Sequence, residues 1–176
     1  MSILHAVLGL VLLQRVAELC LAAANTRRLR ALGSVEIDAG GYPWFMALHA
    51  AWLASLFLLV PANAGPSWPL LGLYAALQLG RLWVIASLGR RWTTRIIVLP
   101  GAPPVRSGPY RWLRHPNYAV VVAEVAVLPL AFGAVAIAVA FSVANLMLLA
   151  RRIRIEDAAL ALRLDPLPIG GKAGQA

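Results

Sequence analysis

Hydrophobic residues run along this chain in long unbroken blocks, not at the three-to-four-residue spacing of a surface helix. The first block, Ile3 to about Ala24, has 22 residues, enough to cross a bilayer core that takes about 20. A polar loop with Arg27, Arg28, Arg30, Glu36 and Asp38 follows it. A second block runs from Pro43 to Val60 and stops at the breaker cluster Pro61-Ala62-Asn63-Ala64-Gly65-Pro66. A third covers Trp68 to Leu88, and residues 89–116 are then polar and basic. Asn117 to Ala150 is apolar for 34 residues, too long for one ordinary span and slightly short for two with a turn. Pro129 and Gly133 lie near its middle, so this block predicts a tight helical hairpin over 117–131 and 134–150. Arg151 to Leu164 predicts a short cytoplasmic C-terminal helix, and the Pro/Gly-rich residues 165–176 predict a disordered tail. The expected fold is therefore all-α and polytopic: one domain over 1–176 with about five transmembrane helices.

Composition agrees. Of 176 residues, 61% are hydrophobic and 13% charged, and mean hydropathy is +0.76, well beyond the range of a soluble domain. The n-region lacks Lys and Arg, and Arg15 and Glu18 lie inside the first block. That block therefore reads as a retained span and not a signal peptide, despite Ala22-Ala23-Ala24. The net charge of +9 does not point to nucleic acid, because no basic run is interleaved with stacking aromatics. Of the 16 basic residues, only Arg15 and Arg81 fall within spans. The other 14 lie in 27–30, 90–114 and 151–172. Five spans with the N-terminus outside put all of them on one face, which the positive-inside rule makes cytoplasmic. Cys20 is the only cysteine, which excludes an internal disulfide and a cysteine-based zinc site. It reads as a small buried or lipid-facing residue. Trp44, Trp68, Trp92 and Trp112 fit an aromatic belt at the interfaces, and His5 and His49 read as interfacial too.

Gln14, Arg15, Glu18, Gln78, Arg81 and Glu124 stand inside the apolar blocks, where polar groups are costly. Two readings remain open for them: glue between helices, or the lining of a cavity. Glu124 shares a helix face with Asn117, so it either reaches a polar ligand or pairs with Arg81.

The densest chemistry lies at Gly108-Pro109-Tyr110-Arg111-Trp112-Leu113-Arg114-His115-Pro116-Asn117-Tyr118. A residue before proline avoids helix, whereas proline favours the first helical turn. His115-Pro116 thus reads as N-cap and first residue of the fourth span. Free first-turn N–H groups there suit an anion such as a cofactor carboxylate. Tyr110, Trp112 and Tyr118 supply ring faces and hydroxyls for a purine and ribose, or anchor the interface. Farther on, Arg152 and Glu156 are four apart and share a helix face. They form either a solvated ion pair or a divided site, the carboxylate for a cofactor and the guanidinium for an anionic substrate.

Gly108-x-Tyr110-x-x-x-Arg114-His115-Pro116-x-Tyr118 followed by Arg152-x-x-x-Glu156 resembles the isoprenylcysteine carboxyl methyltransferase family of polytopic enzymes. Arg81-Leu-Trp, Ser87-Leu-Gly and Ile96-Ile-Val-Leu-Pro-Gly extend the resemblance. It looks closest to a small bacterial branch, associated with type III polyketide synthases, that methylates alkylpyrones. The resemblance implies S-adenosylmethionine as cofactor, in contact with Tyr110, His115, Pro116, Asn117, Tyr118 and Glu156. Val105 is added from a linker that departs from the family in sequence. It implies that Arg152 faces the substrate, that no metal takes part, and that the protein sits in a bacterial inner membrane with its site facing the cytoplasm. The expected activity is O-methylation of a lipophilic oxyanion, either an alkylpyrone-type hydroxyl or a lipid-linked carboxylate such as a prenylcysteine. The expected partners are that acceptor and membrane lipids, with no nucleic acid and no obligate protein. Alternatives are N-methylation of a phospholipid amine, and a small transporter or scaffold. The latter would favour an internal repeat, and none is seen.

Overall fold

The computed structural model describes residues 2–162. The expected tail over 165–176 lies outside them. Five helices account for most of the chain: α1 (Ile3–Ala31), α2 (Tyr42–Leu59), α3 (Trp68–Leu88), α4 (Pro116–Ala131) and α5 (Val135–Leu162). Four are long and apolar enough to cross a membrane. The chain is an integral membrane protein built on helices, as its blocks predict. α4 has 16 residues, about 24 Å at 1.5 Å per residue. This short helix packs between α3 and α5.

Three features differ from expectation, each for a physical reason. α1 runs on to Ala31 because Asn25 does not stop it. Its side-chain amide is instead buried and donates to the carbonyls of Gly89 (3.2 Å) and Trp92 (2.8 Å). The expected separate C-terminal helix is the continuation of α5. Between Ala150 and Leu162 the chain holds Arg, Ile, Glu, Asp, Ala and Leu with no Gly or Pro, so nothing breaks the helix. The hairpin turn does fall at Pro129–Gly133, where Gly133 takes φ +72°.

The third difference is a pair of short strands, β1 (Val35–Ile37) and β2 (Ile96–Val98). They pair antiparallel with Glu36 opposite Ile97. Their β-branched residues favour the extended state. Glu36 lies between Arg30 and Arg95 and bonds both. Burial on its own would raise the Glu36 carboxyl, but these two guanidiniums hold it below the usual range.

The helices stack their contents in three levels. At the end away from the strands is an apolar core: Leu4, Leu8, Val11, Trp52, Leu56, Val125, Leu128 and Phe132. Midway lies a ring of charge. Glu18 accepts from Arg81 Nε and Nη2 (2.6 and 2.7 Å) and from Arg15 Nη1 (3.0 Å). Glu124 accepts from Arg15 Nη2 (2.6 Å), Arg81 Nη1 (3.0 Å) and Gln78 (3.0 Å). Gln14 joins Glu18 to Gln78. Two guanidiniums thus meet two carboxylates, a balance that makes burial tolerable. The choice left open for Glu124 is resolved in favour of Arg81 and Arg15.

Trp44, Trp68 and Trp112 are exposed, as a belt requires, but Trp92 is 2% exposed and belongs to the interior. Cys20 is exposed on α1, facing outward. His49 is not interfacial: it lies inside α2 between Phe45 and Trp52, its Nδ1 on the Phe45 carbonyl.

Candidate active site at the start of the fourth helix

The third level contains the motif. Gly108 opens a 3-10 turn, Gly108–Arg111, that lies against the end of α3. Its φ of +56° favours glycine, and a Cβ there would collide with the Ser87 side chain. Tyr110, two residues on, is half-buried. Burial, and then the negative charge of Glu156, push the Tyr110 phenol above its ordinary range, so it stays protonated at neutral pH. Trp112 lies instead on the outside, against Trp83 at 5.8 Å.

His115 is the N-cap of α4 and Pro116 its first residue. No side chain caps this helix. The amides of Tyr118 and Ala119 turn back to the His115 carbonyl (3.1 and 3.3 Å), so the anion site at this end is narrower than capping logic alone implies. Asn117 Oδ1 is buried without a hydrogen-bond partner among the described residues. The His115 and Tyr118 rings stack at 5.3 Å with 15° between planes.

α5 completes the cluster. The Tyr118 hydroxyl donates to Glu156 Oε2 and accepts from Arg152 Nε at 3.0 Å. His115 faces a different carboxylate with each ring nitrogen: Nδ1 is 3.8 Å from Glu156, and Nε2 is 3.2 Å from Asp157. Arg152 Nη2 donates to the Thr94 carbonyl at 2.7 Å, and its guanidinium lies over the Phe45 ring at 5.2 Å. The same side chain lines a pocket with Tyr42, Phe45 and Leu148.

Tyr110, His115, Tyr118, Arg152 and Glu156 are therefore brought together, with Pro116 and Asn117 in the same helical turn. Val105 is half-buried in the linker and joins them by no hydrogen bond or ring contact. Sequence reasoning gave no site role to three partners. Thr94 acts through a backbone carbonyl, which leaves no trace in residue identity. Phe45 comes from a span read only as hydrophobic. Asp157 had a visible signal in the acidic pair it makes with Glu156. No group of three or more His, Cys, Asp or Glu suited to a metal occurs among the described residues.

The pattern of the isoprenylcysteine carboxyl methyltransferase (ICMT) family matches residues 70–162, which take in most of α3, the motif and the Arg152–Glu156 face. The chain is 38% identical over 157 residues to the uncharacterized protein YpbQ of Bacillus subtilis (strain 168), covering 87% of this chain and 94% of that one. No solved structure matches it. The fold and site define a helical membrane protein with a polar cluster at one end. The chain belongs to the isoprenylcysteine carboxyl methyltransferase family.

Proposed function

We propose that the protein is an S-adenosylmethionine-dependent O-methyltransferase that transfers methyl to an oxyanion of a lipophilic acceptor. The observation that carries this reading is the shared phenol of Tyr118. It joins Glu156, the donor-side carboxylate, to Arg152, the acceptor-side guanidinium. The two halves of a transfer site thus lie one side chain apart.

The residues present suit the cofactor. The face of the stacked His115–Tyr118 pair accommodates a flat purine, Glu156 accepts hydroxyl or ammonium hydrogens, and Asn117 Oδ1 is a buried acceptor in want of a donor. The bound donor supplies an electrophilic methyl on a sulfonium. The protein's part is to hold the acceptor oxygen in line, and orientation supplies most of the barrier reduction. A carboxylate or a 4-hydroxy-2-pyrone is already ionised near neutral pH and needs no general base. Arg152 has Nε and Nη2 engaged within the protein, while Nη1 has no partner among the described residues and is free to take the oxyanion. A phospholipid ammonium would meet the same guanidinium and be repelled.

Basic residues cluster around this end of the bundle, which the positive-inside rule assigns to the cytoplasm, the compartment that holds the methyl donor. We assign the acceptor to the alkylpyrone or prenylcysteine class. Incubating membranes that contain the protein with labelled donor and each class tests the assignment. Label in the ester or enol ether of one class supports it. Label in phosphatidylethanolamine, and in neither class, overturns it.

A further inference from the structure

Tyr42 and Arg95 are shared by two clefts. One is the Arg152 pocket already described. The other lies on the far side of Tyr42, against α1. Its floor is apolar and made of Leu19, Ala22 and Ala23, while Arg27, Arg30 and Arg95 line the same cleft. These α1 residues recur at helical spacing and so face one way. The floor belongs to the apolar part of α1, and the arginines begin where that part ends.

Charge in this cleft is unbalanced. Arg30 and Arg95 share the single carboxylate of Glu36. Arg27 makes no ion pair or hydrogen bond through its side chain among the described residues. A guanidinium rim above a hydrocarbon floor complements a molecule with an anionic head and an apolar chain, because guanidinium pairs with phosphate oxygens in a planar fork. The cleft also adjoins the candidate active site. Thr94 bonds Tyr42 through its hydroxyl at 3.1 Å, and Arg152 through its carbonyl at 2.7 Å. The Arg95 guanidinium lies over the Tyr42 ring at 4.1 Å. One residue, Thr94, thus separates an occupant of the cleft from the guanidinium assigned to the acceptor.

We propose that this cleft binds an anionic phospholipid of the surrounding bilayer. Its phosphate sits among Arg27, Arg30 and Arg95, and its chain lies along Leu19, Ala22 and Ala23. Occupancy firms the Tyr42–Thr94 wall, and Thr94 and Tyr42 act as positioning residues for Arg152. The binding claim stands without the methyltransferase reading; only the effect on turnover rests on it.

The test uses the full chain, purified in a neutral detergent. It is given phosphatidylglycerol or phosphatidylcholine with the same acyl chains, and bound lipid and thermal midpoint are read by native mass spectrometry and a melting assay. Phosphatidylglycerol is expected to remain bound and raise the midpoint by several degrees, with phosphatidylcholine doing neither. Arg27→Gln breaks no contact within the protein, so it should fold and weaken the anionic lipid about fivefold. Arg27→Gln with Arg30→Gln should abolish the preference. Equal effects of the two lipids, or a preference that survives the double substitution, overturns the proposal. Displacement of phosphatidylglycerol by a saturating acceptor overturns the lipid assignment in favour of the acceptor itself. In turnover, phosphatidylglycerol should raise kcat of the wild type and leave the double variant Arg27→Gln with Arg30→Gln unchanged, with donor affinity equal in both. A chain that retains lipid selectivity but transfers no methyl would sink the enzymatic reading and leave the lipid site standing.

Discussion

The Tyr118 hydroxyl lies between Glu156 and Arg152, donating to the first and accepting from the second. Tyr118→Phe keeps the ring stacked on His115 but releases both groups. A hydrogen bond to a charged group contributes about 1.5–3 kcal/mol, which corresponds to about 10- to 150-fold. Donor affinity measured by calorimetry should fall by about tenfold and turnover by more, with the thermal midpoint falling by several degrees as the two bonds are lost. Wild-type affinity and turnover in this variant would mean that the bridge is incidental.

The ring of charge at mid-depth makes a different prediction. Glu124 is 1% exposed and carries two guanidiniums, so Glu124→Gln leaves Arg15 and Arg81 with only Glu18 between them. Breaking a buried pair from one side costs about 3–5 kcal/mol. A large fall in the unfolding midpoint in detergent is expected. The double variant Arg81→Met with Glu124→Leu leaves the neutral pair Arg15–Glu18 and should lose less than Glu124→Gln alone. If losses simply add, the four groups do not act as a unit.

Asp38 ties the loop after β1 to α5. It takes two bonds from Arg151 at 2.7 and 2.8 Å, beside the Arg152 of the candidate site. Its backbone has φ +58°, a left-handed conformation that Asp and Asn tolerate best. Gly41 packs so closely that a Cβ there would strike both the Asp38 carboxylate and Arg151. The hydrogen bond from Arg151 holds the Asp38 carboxyl below its usual range. A carboxyl depressed by folding stabilises fully above its unfolded value, about 3.9, and that stability is lost as pH falls through the lower folded value. Melting between pH 7 and 3 should therefore be flat down to about pH 4 as far as Asp38 is concerned, then decline. Asp38→Asn keeps the backbone conformation, lowers the plateau and shallows the decline. An unchanged profile would remove Asp38 from the clamp.

Much of this was legible in the residues themselves. Block lengths announce the helices, and Pro129 with Gly133 marks the hairpin, because apolar length and breaker chemistry act locally. His115-Pro116 announces the start of α4 for the same reason. What stayed hidden depends on distant partners. Nothing in Val35–Ile37 says that it pairs with Ile96–Val98, although Glu36 and Ile97, opposite each other at the centre of the ladder, are 61 residues apart in the chain. Asn25 looks like a helix end until Gly89 and Trp92 supply carbonyls for it. Trp92 looks interfacial because its neighbours are arginines, yet it is buried. Arg152 and Glu156 were recognisable as a pair on one helix face, but Tyr118, which joins them, reaches that face from another helix.

The most direct test of the site is calorimetric titration of S-adenosylmethionine into the purified protein and three variants. Glu156→Ala and His115→Ala should abolish detectable binding, while Arg152→Ala should bind the donor nearly as the wild type does and lose turnover. Wild-type affinity in both Glu156→Ala and His115→Ala would contradict a donor site between the start of α4 and the Arg152–Glu156 face of α5.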